Sequence, residues 1–361
     1  MNEDRYLTNN GINNINKISD IKSFLLFEHS ISNNPIVSIC IPTFKRLSEL
    51  KRAVYSVLNQ DANRELFELI IVDNDCDTDG FEIISFLNNN CSQYNVQYFK
   101  NEKNVGQLGN WNKCFELSKT NWICMLHDDD EMYKNCVSTM IRVLTKNKTK
   151  NIAYIKANYD KANDGIIDRK SPIKRFFEKF LHYKIMEITH NDILIAGNAG
   201  LIGAPTCGTL LNKTAFMQIG GYCDKWGKAS DAYVPFLLMK DYRVYVTVKP
   251  LGIINFGKNE SCKDETIKDW LIDYLQFQSF LSSLNNHFCR FNKKYGKAQT
   301  ILFIQWCLSN QHKNVNDLLN YGFLKDIYKV DENDLHDKKI KKLYRIKRKH
   351  NLFKLIVAIF K

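Results

Sequence analysis

From Val37 onward, short continuous apolar runs alternate with stretches in which apolar residues return every third or fourth position. Val37-Ser-Ile-Cys-Ile41 is β-branched and closed by Pro42, the pattern of a buried strand. After Ser48 the apolar residues fall at Leu50, Ala53, Val54, Val57 and Leu58, which is helical spacing with Ser48 suited to cap it. Phe67-Glu-Leu-Ile-Ile-Val72 is nearly unbroken and ends in acids, as in a parallel strand covered on both faces. The pattern predicts a helix near 80–89, a strand at Val96–Phe99, a helix over about 107–118 and a strand at Trp122–Leu126. Alternation of this kind predicts an α/β protein with a parallel sheet and helices on both faces.

The rest of the chain is more mixed. Strands are expected at Ile152–Ile155, Gly208–Leu211 and Arg243–Val248, and a helix near 133–145. A loop rich in Gly, Ala and Pro runs over 197–208, and another, holding Asp224 and Asp231, over 221–235. From about 265 the pattern is helical. Residues 1–34 read as an appendage: one apolar stretch, Ile21–Phe27, expected as a helix docked on the body, then a polar linker ending at Pro35. The Asn-rich start lacks the apolar core of a secretory signal, and no run approaches the roughly 18 apolar residues that span a bilayer.

Composition adds less than charge does. At 361 residues, 44% hydrophobic and 25% charged, the chain has enough apolar material for a large core. Its net charge of +12 is concentrated: residues 338–361 hold ten Lys/Arg and no acid. That argues against a surface that tracks nucleic acid throughout, and for one basic tail with its own task. Ile340, Leu343, Tyr344, Leu352, Phe353, Leu355, Ile356, Ile359 and Phe360 interleave with those charges at amphipathic spacing. The expectation is a helix lying on an anionic membrane, with a solvated helix packed on the body or a nucleic-acid contact as alternatives. The eleven cysteines show no C-x-x-C spacing, and several sit in apolar runs, as reduced core thiols do.

Three polar segments follow predicted strands, where open α/β sheets bind ligands. Asp128-Asp129-Asp130 places three mutually repelling carboxylates together, an arrangement relieved by a hard divalent cation that itself accepts substrate phosphates. The alternative is a solvated loop with a helix-capping acid. Asp73, Asn74, Asp75, Asp77 and Asp79 could accept from a base or a ribose, or could serve as turn residues. In Pro42-Thr43-Phe44-Lys45-Arg46 the Phe could stack on a base and the Arg could reach a phosphate.

Taken together, VSICIPTFKRLSELKRAVYSVLNQ, FELIIVDNDCDTDG, NEKNVGQLGNWNKC and WICMLHDDDEMY, in that order and spacing, resemble the family 2 glycosyltransferases across roughly residues 36–255. The resemblance implies a GT-A nucleotide-diphospho-sugar transferase fold: a mainly parallel central sheet flanked by helices, with a C-terminal helical extension. The implied divisions are 1–34, a catalytic domain at 35–260 (nucleotide-sugar half 35–135, acceptor half 136–260), and a helical region at 261–361. The implied activity is inverting, metal-dependent transfer from a UDP-sugar to a carbohydrate acceptor, in bacterial O-antigen or capsule assembly on a lipid carrier. It places such an enzyme in the cytoplasm, against the inner face of the membrane.

The resemblance also assigns roles. Pro42, Thr43, Phe44, Arg46, Asp73 and Asp75 would hold the uracil and ribose side. Asn104 and Gly106 would lie beside the nucleotide, and Asp128 near the ribose or sugar. Asp129, with Asp130, would hold Mn²⁺ or Mg²⁺. Gly203-Ala-Pro205 to Thr209 and Gly220 to Asp224 resemble the acceptor-side strand and turn, and Asp231 sits at the place of the catalytic base, where the alternative is a helix cap. Three departures stand out: Asn74 stands where the family commonly has a second acid after its second strand, His127 replaces an acid that often opens the DXD-type motif, and Ile254-Asn-Phe-Gly-Lys-Asn259 lacks a histidine that many members use as a further ligand. A nucleotidyltransferase on a related fold, or a non-enzymatic basic membrane- or nucleic-acid-binding protein, are the competing readings; a Gly-rich basic loop, absent from PTFKR, would favour the first.

Overall fold

The computed structural model describes residues 14–163, 166–167, 183–196, 207–224, 227, 230–255, 264–284, 286–310 and 337–360. One sheet organises them, in the order β1-β4-β3-β2-β5-β10-β7-β11-β6. These strands are β1 Ser23–His29, β2 Val37–Thr43, β3 Phe67–Asp73, β4 Asn95–Asn101, β5 Trp122–Met125, β6 Glu131–Met132, β7 Ile152–Asn163, β10 Thr209–Asn212 and β11 Arg243–Asn255. Short strands β8 (Ile166–Ile167) and β9 (Ile185–Ile188) pair with β7 and β11.

β2, β3, β4 and β5 are mutually parallel, as the apolar runs predict. Val37, Ile39 and Ile41 bury on one face, and Cys40 on the other. Helices α1 (Leu47–Leu58), α2 (Phe81–Asn90) and α3 (Gly106–Leu117) connect them. The second half is mixed: β10 runs antiparallel to both β5 and β7, while β7 and β11 are parallel. Two reversals restore direction, so the carboxyl ends of β2, β3, β5, β7 and β11 meet at one edge of the sheet. This is the α/β sheet flanked by helices that the sequence predicts, with the parallel character confined to β2–β5 and to the β7–β11 pair.

One glycine is fixed by this crossing. Gly208 enters β10 at φ +84°, and a Cβ there would stand 2.6 Å from Cys136 Sγ. Helices α4 (Cys136–Lys146), α5 (His190–Ala196), α6 (Lys213–Gln218) and α7 (Ser230–Leu238) complete the two faces. Beyond the sheet, α8 (Asp264–Leu284), α9 (Asn286–Asn310) and α10 (Lys338–Phe360) form the helical extension, with a cluster of their own around Tyr274, Tyr295, Ile301, Ile304 and Leu343.

The stretch expected as a docked helix, Ile21–Phe27, is instead largely within β1, antiparallel on β4 at the sheet's edge, with a register shift between Leu25 and Phe27. The preceding segment is tied to the body: Asn14 donates to Gly220 O from its backbone at 2.9 Å and its side chain at 3.1 Å. Seven of the nine described cysteines, all but Cys76 and Cys289, are buried.

Candidate active site

The loop after β5 is drawn in by backbone bonds from Leu126 N to Cys40 O and from Asp130 N to His127 O. It therefore meets the end of β2. Thr43 Oγ1 donates to Asp128 Oδ2 at 2.9 Å, and Arg46 Nη1 reaches Asp128 at 3.4 Å and Asp129 at 3.0 Å. Asp128 is buried, and burial, then the Asp129 charge, push its carboxyl up to about 6 despite Thr43 and Arg46. Burial likewise pushes the Asp130 carboxyl well up, reinforced by Asp129; the backbone N–H of Asn255, at the end of β11, donates to it at 3.2 Å. The Asn255 amide also donates to Asp129 O at 2.8 Å. The β11 end thus meets the acidic loop although the expected histidine is missing; Phe256 to Asn259 lie outside the described residues.

His127 stacks on Trp111 of α3, centroids 5.0 Å apart and planes at 19°. Burial pushes its imidazole down, toward the neutral form, and its buried Nε2 has no hydrogen-bond partner. His127, Asp129 and Asp130 each present a ligand atom, all within 4.8 Å of one another. A ring nitrogen without a partner beside two crowded carboxylates is a donor set that a divalent cation could take. Asp129 and Asp130 are thus brought together as expected, and His127 joins them.

The nucleotide-side residues divide. Pro42 and Thr43 are buried strand residues, while Phe44 presents its ring to solvent at 42% exposure. Lys45, at φ +57°, bends the chain in the left-handed region that a side chain disfavours, and pairs with Asp77 at 2.7 Å and Asp75 at 3.7 Å. Asp73 points into the protein, accepting from Tyr98 Oη at 2.8 Å, Asp75 N at 2.9 Å and Lys100 Nζ at 3.4 Å. Asp75 accepts in turn from Asp77 N and Thr78 Oγ1. Asn74 donates to Asn104 Oδ1 at 2.7 Å, and Asn104 Oδ1 also accepts from Gly106 N at 2.8 Å. Asn101 and Asn110 extend this net of amides to Val72 O. Gly106 begins α3 at φ +73° with open space above it, so only its backbone conformation calls for glycine.

Asp231 lies in the first turn of α7, half-buried. Burial pushes its carboxyl up to about 7, against the opposing pull of backbone N–H groups and of Lys156. Lys156 stands inside β7 at 4% exposure, its ammonium pushed down to about 8 by burial. The hydroxyls of Tyr154 and Tyr222 feel the same carboxylate. Gly220 to Asp224 precede it in a turn, with Ser230 Oγ accepting from Cys223 N. Gly203, Ala204 and Pro205 lie outside the described residues. The sequence reading missed Lys156, Asn255 and Trp111. The legible trace was a single lysine inside the apolar run Ile152-Ala-Tyr-Ile-Lys156-Ala.

A crossed α/β sheet with an acidic cluster where its strands end is the arrangement expected of a glycosyltransferase of the GT-A class. Residues 38–202 match the family model described as glycosyl transferase family 2, and the relatives that follow are glycosyltransferases by description. It is 25% identical over 245 residues to an uncharacterized glycosyltransferase of Haemophilus influenzae, spanning 67% of this chain and 76% of that one. Against WcaA of Escherichia coli K12, described as a colanic acid biosynthesis glycosyl transferase, identity is 32% over 111 residues, 31% of this chain and 38% of that one. Against a GalNAc(5)-diNAcBac-PP-undecaprenol beta-1,3-glucosyltransferase of Campylobacter jejuni it is 24% over 226 residues, 58% and 64% of the two chains. The chain thus spans less than two thirds of these last two relatives. The UDP complex of Staphylococcus aureus TarS 1–349 overlays 86% of this chain and 91% of that one at 14% identity and TM-score 0.48, too loosely to carry an argument.

Proposed function

We propose that the protein transfers a sugar from a UDP-sugar to a carbohydrate acceptor with inversion and with a divalent cation, and that the acceptor is a lipid-linked oligosaccharide of bacterial surface-polysaccharide assembly. The observation that carries the reading is the His127, Asp129 and Asp130 group, with ligand atoms within 4.8 Å, beside Arg46 at the strand ends. Mn²⁺ or Mg²⁺, held by those three residues, would neutralise charge growing on the departing diphosphate. Arg46 keeps Asp128 and Asp129 in place, and Asp128 accepts from a ribose or sugar hydroxyl. Phe44 offers an exposed ring for the base. Asp73, committed to Tyr98 and Lys100, shapes the loop in which Asp75 sits.

In the transfer, Asp231 as carboxylate takes the proton of the acceptor hydroxyl. The acceptor oxygen bonds to the anomeric carbon as the bond from that carbon to the diphosphate oxygen breaks, and UDP leaves. A carboxyl near 7 suits this task, being about half ionised at neutral pH yet basic enough to hold the proton. The lipid-linked acceptor is favoured by the Campylobacter relative, whose name carries an undecaprenol diphosphate. The basic helix α10 would hold the enzyme against the inner, anionic face of the membrane, with no role for nucleic acid. Incubation with a panel of UDP-sugars and Mn²⁺ tests the reading: release of UDP from at least one is expected, and neither binding nor turnover of any, with or without metal, rules it out.

A further inference from the structure

We propose that Lys156 is a positioning residue of the transfer, a buried cation on the central strand of the acceptor half that holds the Asp231 carboxylate charged and turned toward the acceptor. The inference rests on the reading of Asp231 as the base. Lys156 follows Tyr154 by two residues on β7, which puts both side chains on the same face of the sheet, the face covered by α7. Tyr154 belongs to the core cluster on that face together with Tyr233 and Val234 of α7. Lys156 is 4% exposed. Among the described residues no carboxylate pairs with it directly; the Tyr159 ring lies 5.8 Å from its Nζ, and the opposite charge acting on it is Asp231.

A buried ammonium without a bonded anion is costly, and a methionine would fill the same space at no such cost. The charge makes physical sense through the acid it faces. Burial alone would drive Asp231 toward the neutral form, in which it accepts no proton, and Lys156 is the charged side chain that opposes this. The other groups around Asp231 do not substitute for it. Tyr154 from β7 and Tyr222 from the preceding turn are pushed up and stay neutral. Tyr233 on α7 donates to Asp273 O. On α6, Lys213 is engaged with Ser118 O and Glu116 O. From β11 the residues facing α7 are Val244 and Val246.

The test uses the full chain, and reads UDP release from the most active UDP-hexose of the panel with Mn²⁺ from pH 5 to 9. For the wild type the rate should reach half its plateau near pH 7, the value at which Asp231 ionises. In Lys156→Met the acid limb should move up by about one pH unit, a tenfold loss on the acid side, with the donor KM unchanged. Above pH 8, where the wild-type ammonium itself discharges, the two should converge. Lys156→Arg should restore the limb. An equal loss at every pH, or an unmoved limb, overturns the proposal. Asp231→Asn separates the two readings: wild-type rates in it sink the base, whereas a dead Asp231→Asn with an unmoved Lys156→Met limb sinks the positioning role alone. Should no donor turn over, urea midpoints at pH 8 decide. Lys156→Met and Asp231→Asn should shift the midpoint non-additively, the double variant lying above the sum of the singles, and additive shifts count against any coupling.

Discussion

At the scale of single residues, the acidic loop crowds three carboxyl groups against one guanidinium, and in the proposed reading a divalent cation relieves the remainder. Asp128 and Asp130 are both buried beside Asp129, and Arg46 answers two of the three. Asp129→Asn should therefore lower UDP release by roughly 100-fold, on the scale of losing one charge-stabilising group, while leaving the fold intact by circular dichroism. His127→Ala should raise the Mn²⁺ dissociation constant by about tenfold or more in a titration without donor, since even outer-shell partners of metals are worth that much. An unchanged constant would return His127 to the role of a ring stacked on Trp111. The pH dependence belongs here too. In the proposed role Asp231 takes the acceptor's proton only when ionised, so the rate should rise through about pH 7 and not through pH 4, the range of an ordinary carboxylate. Part of this was legible in the chain: Asp129, Asp130, Thr43 and Arg46 follow strands in sequence and converge in space. Asp73 was legible as a position but not as a direction, because Tyr98 and Lys100, which turn it inward, come from a neighbouring strand. Lys156 and Asn255 were hidden for the same reason, each acting on a group 75 or more positions from it in the chain.

At the scale of elements, the parallel half of the sheet could be read off the chain because each buried strand writes its own apolar run. The antiparallel insertion of β10 could not, since direction is set by what Thr209–Asn212 meets on both sides. The edge strand misled for a related reason. Phe24, Leu25 and Leu26 are all apolar yet all exposed, so the run that suggested a buried helix face is the open flank of a strand whose order comes from β4. In α10 the periodicity served better. Ile340 and Leu343 bury against Tyr274, Tyr295 and Ile304, while Lys338, Lys339, Lys341, Lys342, Arg345, Arg348 and Lys349 remain exposed. His350 closes the helix onto the body through Asp192 at 2.6 Å. Leu343 is 1% exposed, so Leu343→Ala should cost about 2–5 kcal/mol in urea unfolding and make the 338–360 helix the first site of tryptic cleavage. A change under about 0.5 kcal/mol would mean that α10 does not dock as it stands here.

At the scale of the whole molecule, the docking of α10 changes how membrane association has to be tested. Removing residues 338–361 would uncover Tyr274, Tyr295 and Ile304, and any loss of binding would be confounded with loss of fold. The informative change keeps the apolar face and removes the outer charge: Lys338, Lys339, Lys341 and Lys342 to Gln together, all exposed but Ile340 between them. Near an anionic surface each such cation is worth about 1 kcal/mol, so four should weaken binding to phosphatidylglycerol vesicles by roughly two to three powers of ten. The wild type should bind these vesicles in low salt, release in high salt, and ignore both neutral vesicles and duplex DNA. Among the described residues no helix is long and apolar enough to cross a membrane. The variant should keep the wild-type rate of UDP release in solution, because α10 belongs to the helical extension while the acidic loop sits at the sheet's edge. Vesicle binding that survives the four substitutions would assign the membrane contact to another face, and binding to DNA that disappears with them would assign this helix to nucleic acid instead.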